Sequence, residues 1–193
     1  MAELLDIFIR GMFTNNIVLV MFLGLCSFLG VSKRTKAALG MSAAVTSIMT
    51  LSTPITWVIF HYLLRPLKIE YLWIVLFILV IASFVQITEA IIKKQSPTLF
   101  NSLGIYLPLV ASNCAILGVA LLDISGGYDI VESTVFGFSG GLGYSMVLLI
   151  MTGIRERLDG ADVPESLRGA PIAFIVAAIL SMAFMHYFGV FVF

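Results

Sequence analysis

Cys26-Ser27-Phe28-Leu29-Gly30-Val31 and Cys114-Ala115-Ile116-Leu117-Gly118-Val119 are two readings of one motif, C-x-x-L-G-V, and they hold the only two cysteines of the chain. Each lies inside an apolar segment. Gly24-Leu25 precede the first and Ser112-Asn113 the second. A lone cysteine in a membrane segment is most simply a small, inert hydrophobe. Two cysteines at equivalent places of matching motifs point instead to a symmetric pair of soft ligands.

The surroundings of the motif are membrane-like. The 193 residues are 60% hydrophobic and 11% charged, whereas a soluble domain keeps about a quarter of its residues charged. The sequence therefore predicts an all-α integral membrane protein, a single transmembrane domain over residues 1–193. A net charge of zero argues against nucleic acid as a partner and leaves orientation to local charge asymmetry. Without C-x-x-C spacing the cysteines do not suggest a zinc ribbon, and two give little support to a disulfide framework. Glu3 and Asp6 precede the first apolar run, where a signal peptide would carry basic residues.

Six stretches approach the roughly 20 apolar residues that a membrane-spanning helix needs. They run from about Leu4 to Val31, Ala37 to Leu64, Tyr71 to Ile92, Leu103 to Leu122, Val131 to Ile154 and Ala170 to Phe193. Lys33, Arg34 and Lys36 follow the first, Lys93 and Lys94 the third, and Arg155, Arg157 and Arg168 the fifth. That puts eight of the 11 basic residues on one side. The positive-inside rule then makes the odd-numbered loops cytoplasmic and sends both termini to the outer side.

The cysteine motifs recur at an offset of 88 residues (114 − 26), which maps spans one to three on spans four to six. Three is odd, so the second half enters the membrane inverted, giving halves of about 1–95 and 96–193. Inverted repeats characterise proteins that move something across a bilayer, with sites where corresponding spans are broken. Span one is interrupted at Thr14-Asn15-Asn16, leaving Ile17 to Val31, about 15 residues or roughly 22 Å of helix, against a core of roughly 30 Å. Span four is interrupted around Gly104, Pro108 and Ser112-Asn113. Both are expected to be discontinuous, with the cysteines near mid-membrane.

Two thiolates are too few for an iron–sulfur cluster, which takes about four cysteines. One chain would thus supply half a site, and a second copy or a homologue the other half. Asn15, Asn16, Gly24, Leu25, Pro108, Ser112 and Asn113 form the candidate surround of that site or an ion pathway. The asparagines and Ser112 would cap broken half-helices or bond between helices. Asp6 and Arg10, like Glu89 and Lys93, stand at i,i+4 spacing and read as helix pairs. Arg155 to Asp162 read as a mixed-charge cytoplasmic loop, with His61 and His186 near outer helix ends. Gly137, Gly140, Gly141 and Gly143 allow close helix approach.

Asn15 to Cys26 (N-N-I-V-L-V-M-F-L-G-L-C), Gly104 to Leu122 (G-I-Y-L-P-L-V-A-S-N-C-A-I-L-G-V-A-L-L), Gly153 to Leu158 (G-I-R-E-R-L) and Ala161 to Ile175 (A-D-V-P-x-x-L-R-G-A-P-I-A-F-I) closely resemble the RnfA family of Rnf-complex membrane proteins. Its sister family is NqrE of the sodium-pumping NADH:quinone reductases. The resemblance covers essentially the whole chain. It implies six helices in an inverted repeat within a prokaryotic inner membrane. It also implies a homologous RnfE-type partner of opposite topology and a [2Fe–2S] cluster between the two, with Cys26 and Cys114 as the ligands from this chain. The implied activity is electron transfer between ferredoxin and NAD+ by a complex of several Rnf subunits, coupled to Na+ or H+ movement. Nucleotide and flavin sites would belong to the other subunits. A quinone-reductase component, a secondary transporter with structural cysteines, or a non-catalytic scaffold are the competing readings.

Overall fold

The computed structural model describes residues 2–14, 16–32, 34–67, 72–95, 113–161, 164 and 167–188, and its elements among these are helical. Helix α1 (Ala2–Ile9) widens into a π-helical turn over Arg10–Thr14. The predicted Asp6–Arg10 pair is formed there, at 2.9 Å on an exposed face.

Asn16 then takes an extended conformation and caps α2 (Ile17–Val20). Its Oδ1 accepts the N–H groups of Val18 and Leu19 at 3.2 and 3.4 Å, two of the donors a helix start leaves unpaired. Its Nδ2 donates to the carbonyls of Met12 and Gly143 at 3.3 and 3.2 Å, tying the break to a distant helix. Nothing in the apolar residues that follow predicts what comes next. After one turn α2 stops, and Phe22 and Gly24 both take positive φ, 55° and 83°. Glycine adopts that conformation freely, whereas for phenylalanine it costs about 1–2 kcal/mol. The chain restarts as α3 (Leu25–Val31), so the first apolar run is broken twice, at Asn16 and again over Met21–Gly24.

Two long helices make the centre. α4 (Thr35–Ile59) continues through a π-helical turn at Phe60–Leu64 and the single turn α5 (Arg65–Leu67). After α6 (Trp73–Gln95) and α7 (Cys114–Gly126), α8 (Ile130–Asp159) packs along α4. α9 (Ala170–Phe188) closes the order. At the α8 start, Glu132 Oε2 accepts the N–H of Asp129 at 3.1 Å, one arm of a capping box.

Glycine makes the α4–α8 contact possible. A β-carbon at Gly141 would stand 2.8 Å from the Cα of Thr46, and one at Gly137 would stand 2.9 Å from the Met49 carbonyl oxygen. Thr46 Oγ1 donates to the carbonyls of Ser42 and Gly141 at 2.8 and 3.1 Å. Between lipid-solvated helices there is no hydrophobic drive to associate, so small residues and such bonds carry the packing.

Phe28, Met41, Met49, Phe77, Phe136 and Met151 fill the interior, while Leu5, Tyr62, Leu79 and Met182 lie exposed on the outside. Thr35–Leu64 and Ile130–Asp159 are each long and apolar enough to cross a bilayer. Trp73–Ile87, Cys114–Gly126 and Ala170–His186 are shorter apolar stretches.

Candidate functional site

Both cysteines sit in the first turn of a helix, and the Cys26 helix follows a break. Cys26 is the second residue of α3, entered through left-handed Gly24. Cys114 is the first residue of α7, entered through extended Asn113, whose Oδ1 accepts the N–H of Ala115 at 3.1 Å. A helix start carries unpaired N–H groups and the positive end of the helix dipole, and so favours negative charge. Both thiols are free, Cys26 exposed and Cys114 half-buried, so the structure contains no bridge between them.

The two motifs meet. The N–H of Gly24 donates to Cys114 Sγ at 2.9 Å, across 90 positions of sequence. Gly24 is buried, and a β-carbon there would stand 3.0 Å from that of Ala115, 3.1 Å from Asn113 Oδ1 and 3.3 Å from the Tyr144 ring. Only a residue without a side chain fits both the space and the φ of 83°.

Tyr144 of α8 closes the junction. It is 1% exposed, and its hydroxyl lies 2.8 Å from Ser27 Oγ, which donates to the Gly24 carbonyl at 2.9 Å. With the Ser27 proton committed to Gly24, the tyrosine hydroxyl is the donor to Ser27. The Tyr144 ring also lies 3.3 Å from where a β-carbon at Gly24 would stand, which places it at the junction. Sequence reasoning does not single out Tyr144. The available signal is a phenol within a Gly-rich apolar helix, since a buried tyrosine tip requires a polar partner.

Arg155 departs from its expected place in a solvated loop. It is 8% exposed. Its Nη1 donates to the Leu29 carbonyl at 2.8 Å and to Ser32 Oγ at 2.7 Å, and its Nη2 to the Gly169 carbonyl at 3.4 Å. A cation on the final carbonyls of α3 satisfies groups that the helix leaves unpaired. Arg155 therefore holds the far end of the Cys26 helix against α8 and the entry to α9.

Of the predicted surround, Gly24 and Asn113 touch the junction directly, and Leu25 packs partly buried on the core. Asn16 caps α2 one short helix away. Asn15, Pro108 and Ser112 lie outside the described residues. Asn113 Nδ2 is buried without a hydrogen-bond partner among the described residues. No group of three or more His, Cys, Asp or Glu side chains is assembled for a metal among them.

An apolar exterior and long membrane-length helices define an all-helical membrane protein among the described residues. Residues 4–191 match the family described as Rnf-Nqr subunit, membrane protein, and the chain belongs to that family. It is 48% identical over 192 residues to a Methanosarcina acetivorans protein named as the A component of an ion-translocating oxidoreductase complex, covering 98% of this chain and 96% of the relative. A Serratia proteamaculans protein of the same name is 50% identical, with 98% of each chain covered. One from Aromatoleum aromaticum is 54% identical over 89% of each.

Proposed function

We propose that this chain is a membrane electron-transfer subunit of an ion-translocating oxidoreductase, and that Cys26 and Cys114 supply half the ligands of an intramembrane [2Fe–2S] cluster. The contact that carries this reading is the N–H of Gly24 on Cys114 Sγ at 2.9 Å, which draws the two motifs to one place. Such N–H groups are among the features that tune a cluster's potential.

The donor set fits half a cluster. Two soft thiols stand at two helix starts, where negative charge is favoured, and a [2Fe–2S] cluster takes about four. The remaining pair would come from a homologous RnfE-type protein of opposite orientation. Cys26 is exposed in this single chain, beside Met21 and Phe22, which are 42% and 46% exposed. An outward thiol within an apolar turn is what a partner chain would cover. When bound, the cluster would supply one-electron transfer, breaking the passage across a barrier of roughly 30 Å into shorter hops.

The protein's own residues provide position. Tyr144 and Ser27 fix the Gly24 turn, Asn113 fixes the start of α7, and Arg155 anchors the end of α3. Around this centre the chain would cross a prokaryotic inner membrane six times as an inverted 3+3 repeat, both termini outside. The relatives' names favour the Rnf assembly, in which electrons pass between ferredoxin and NAD+ with movement of Na+ or H+, over the quinone-reductase one.

The test is the complex purified with its partner and reduced. A [2Fe–2S] paramagnetic signal that disappears in both Cys26→Ala and Cys114→Ala, with subunits still assembled, is the expected result. A signal that survives both substitutions, or no signal in the unsubstituted complex, refutes the reading.

A further inference from the structure

Asp123 directly follows the fourth expected span, on the side that the charge rule makes outer. The structure buries it instead, at 0% exposure in the last turn of α7. Both carboxylate oxygens lack a hydrogen-bond partner among the described residues. Facing it from α8 is Ser133, also 0% exposed, whose hydroxyl lies within reach of the carboxylate without the full geometry of a hydrogen bond. A buried carboxylate is thus left with one neighbouring hydroxyl as its polar company among the described residues, an arrangement that normally signals a missing partner. A buried carboxylate without a counter-charge is strongly unfavourable.

No protein cation answers it among the described residues. The ion pair formed among them is Arg10 with Asp6. The elements packed on α7 are α2, α4, α6 and α8. α2 has no titratable residue. α4 has Lys36 in its first turn, at the end remote from Asp123, with His61 just beyond its other end. α6 has Glu89, Lys93 and Lys94 in its last third, and α8 has Glu132 in its first turn, Tyr144 midway and Arg155 to Asp159 at its far end. Asp123 also stands at the C-terminal, negative end of α7, with Asp129 and Glu132 close in sequence. The end of α7 and these carboxylates favour a positive charge, against the opposing dipole of the α8 start.

We infer that Asp123 and Ser133 form a site for a single small cation, taken up from the aqueous phase as H+ or Na+. The inference rests on the reading above only in placing the chain within an ion-moving complex; it does not depend on the cluster.

The probe is a hydrophobic carbodiimide, which reacts with a protonated, membrane-buried carboxyl, applied to the purified complex with peptide mass spectrometry at Asp123. Labelling at fixed pH that NaCl suppresses, and choline chloride does not, identifies Na+. Labelling indifferent to NaCl that fades as pH rises identifies H+. Absence of labelling, or labelling indifferent to both, overturns the proposal.

Asp123→Asn supplies the functional arm, with Ser133→Ala as the milder variant should the first fail to assemble. In a Na+ complex, the sodium concentration for half-maximal redox-driven uptake rises at least about tenfold, the loss that even an outer partner of a metal site produces. In an H+ complex, the pH dependence of uptake flattens. Unchanged cation dependence in the assembled variant overturns the site. The [2Fe–2S] signal is expected to persist in it, so loss of the cluster in the unsubstituted complex would sink the electron-transfer reading without touching this one.

Discussion

Cys26 enters a helix of seven residues through a left-handed glycine, whereas Cys114 enters one of 13 residues through an asparagine cap. The first thiol is exposed and the second half-buried. The short helix depends on outside help at its far end, where Arg155 takes its carbonyl, while α7 ends on its own left-handed Gly127 at φ 67°. Both copies of the motif place sulfur in the first turn of a helix, while the structure that supports each differs. One side is a firm post, and the other is a short arm held at both ends by α8.

That asymmetry can be broken most severely at Arg155. Arg155→Ala leaves the Leu29 carbonyl and Ser32 without their charged donor. Hydrogen bonds to charged groups contribute about 1.5–3 kcal/mol each, and two short ones are lost, so about 3 kcal/mol is expected. Hydrogen exchange in the assembled complex should rise over Leu25–Val31 and stay unchanged over Cys114–Gly126. Equal deprotection of both helices would mean that Arg155 supports the whole bundle and not the Cys26 arm.

Gly24→Ala comes next. It places a β-carbon at 3.0 Å from that of Ala115 in a left-handed conformation, with a penalty of about 2 kcal/mol. Because Gly24 supplies the N–H on Cys114 Sγ, the spectrum of a cluster held there should shift as well. A fall in melting temperature with an unaltered spectrum would reduce Gly24 to a packing residue.

Asn113→Ala has the smallest expected effect. Loss of an N-cap costs about 1 kcal/mol, partly offset because the unpaired Nδ2 leaves the interior with it. Exchange should increase only in the first turn of α7, leaving α3 alone.

Much of this is legible in the residues and much is not, for a common reason. The motif pair, the helix starts of α4, α8 and α9, and the role of Asn16 at an interruption follow from local pattern, since caps and apolar length act within a few residues. The second break does not show, because Met21-Phe22-Leu23 reads as ordinary apolar helix and only the chain's approach to Cys114 and Tyr144 gives Gly24 its meaning. Tyr144, Arg155 and Asp123 act on groups 117, 126 and 10 positions away (144 − 27, 155 − 29 and 133 − 123). A single sequence places such residues in a helix or a loop but cannot say which neighbours the fold will bring to them.

The glycine seam between α4 and α8 bears on how such a molecule could change shape. Where backbones mesh at Thr46 and Gly141 and at Met49 and Gly137, there is no lubricating layer of side chains, and sliding one helix along the other would drive main chain into main chain. The pair behaves as a keel. Any change of shape is thereby directed to the short, jointed pieces around it, the same pieces from which the sulfurs hang.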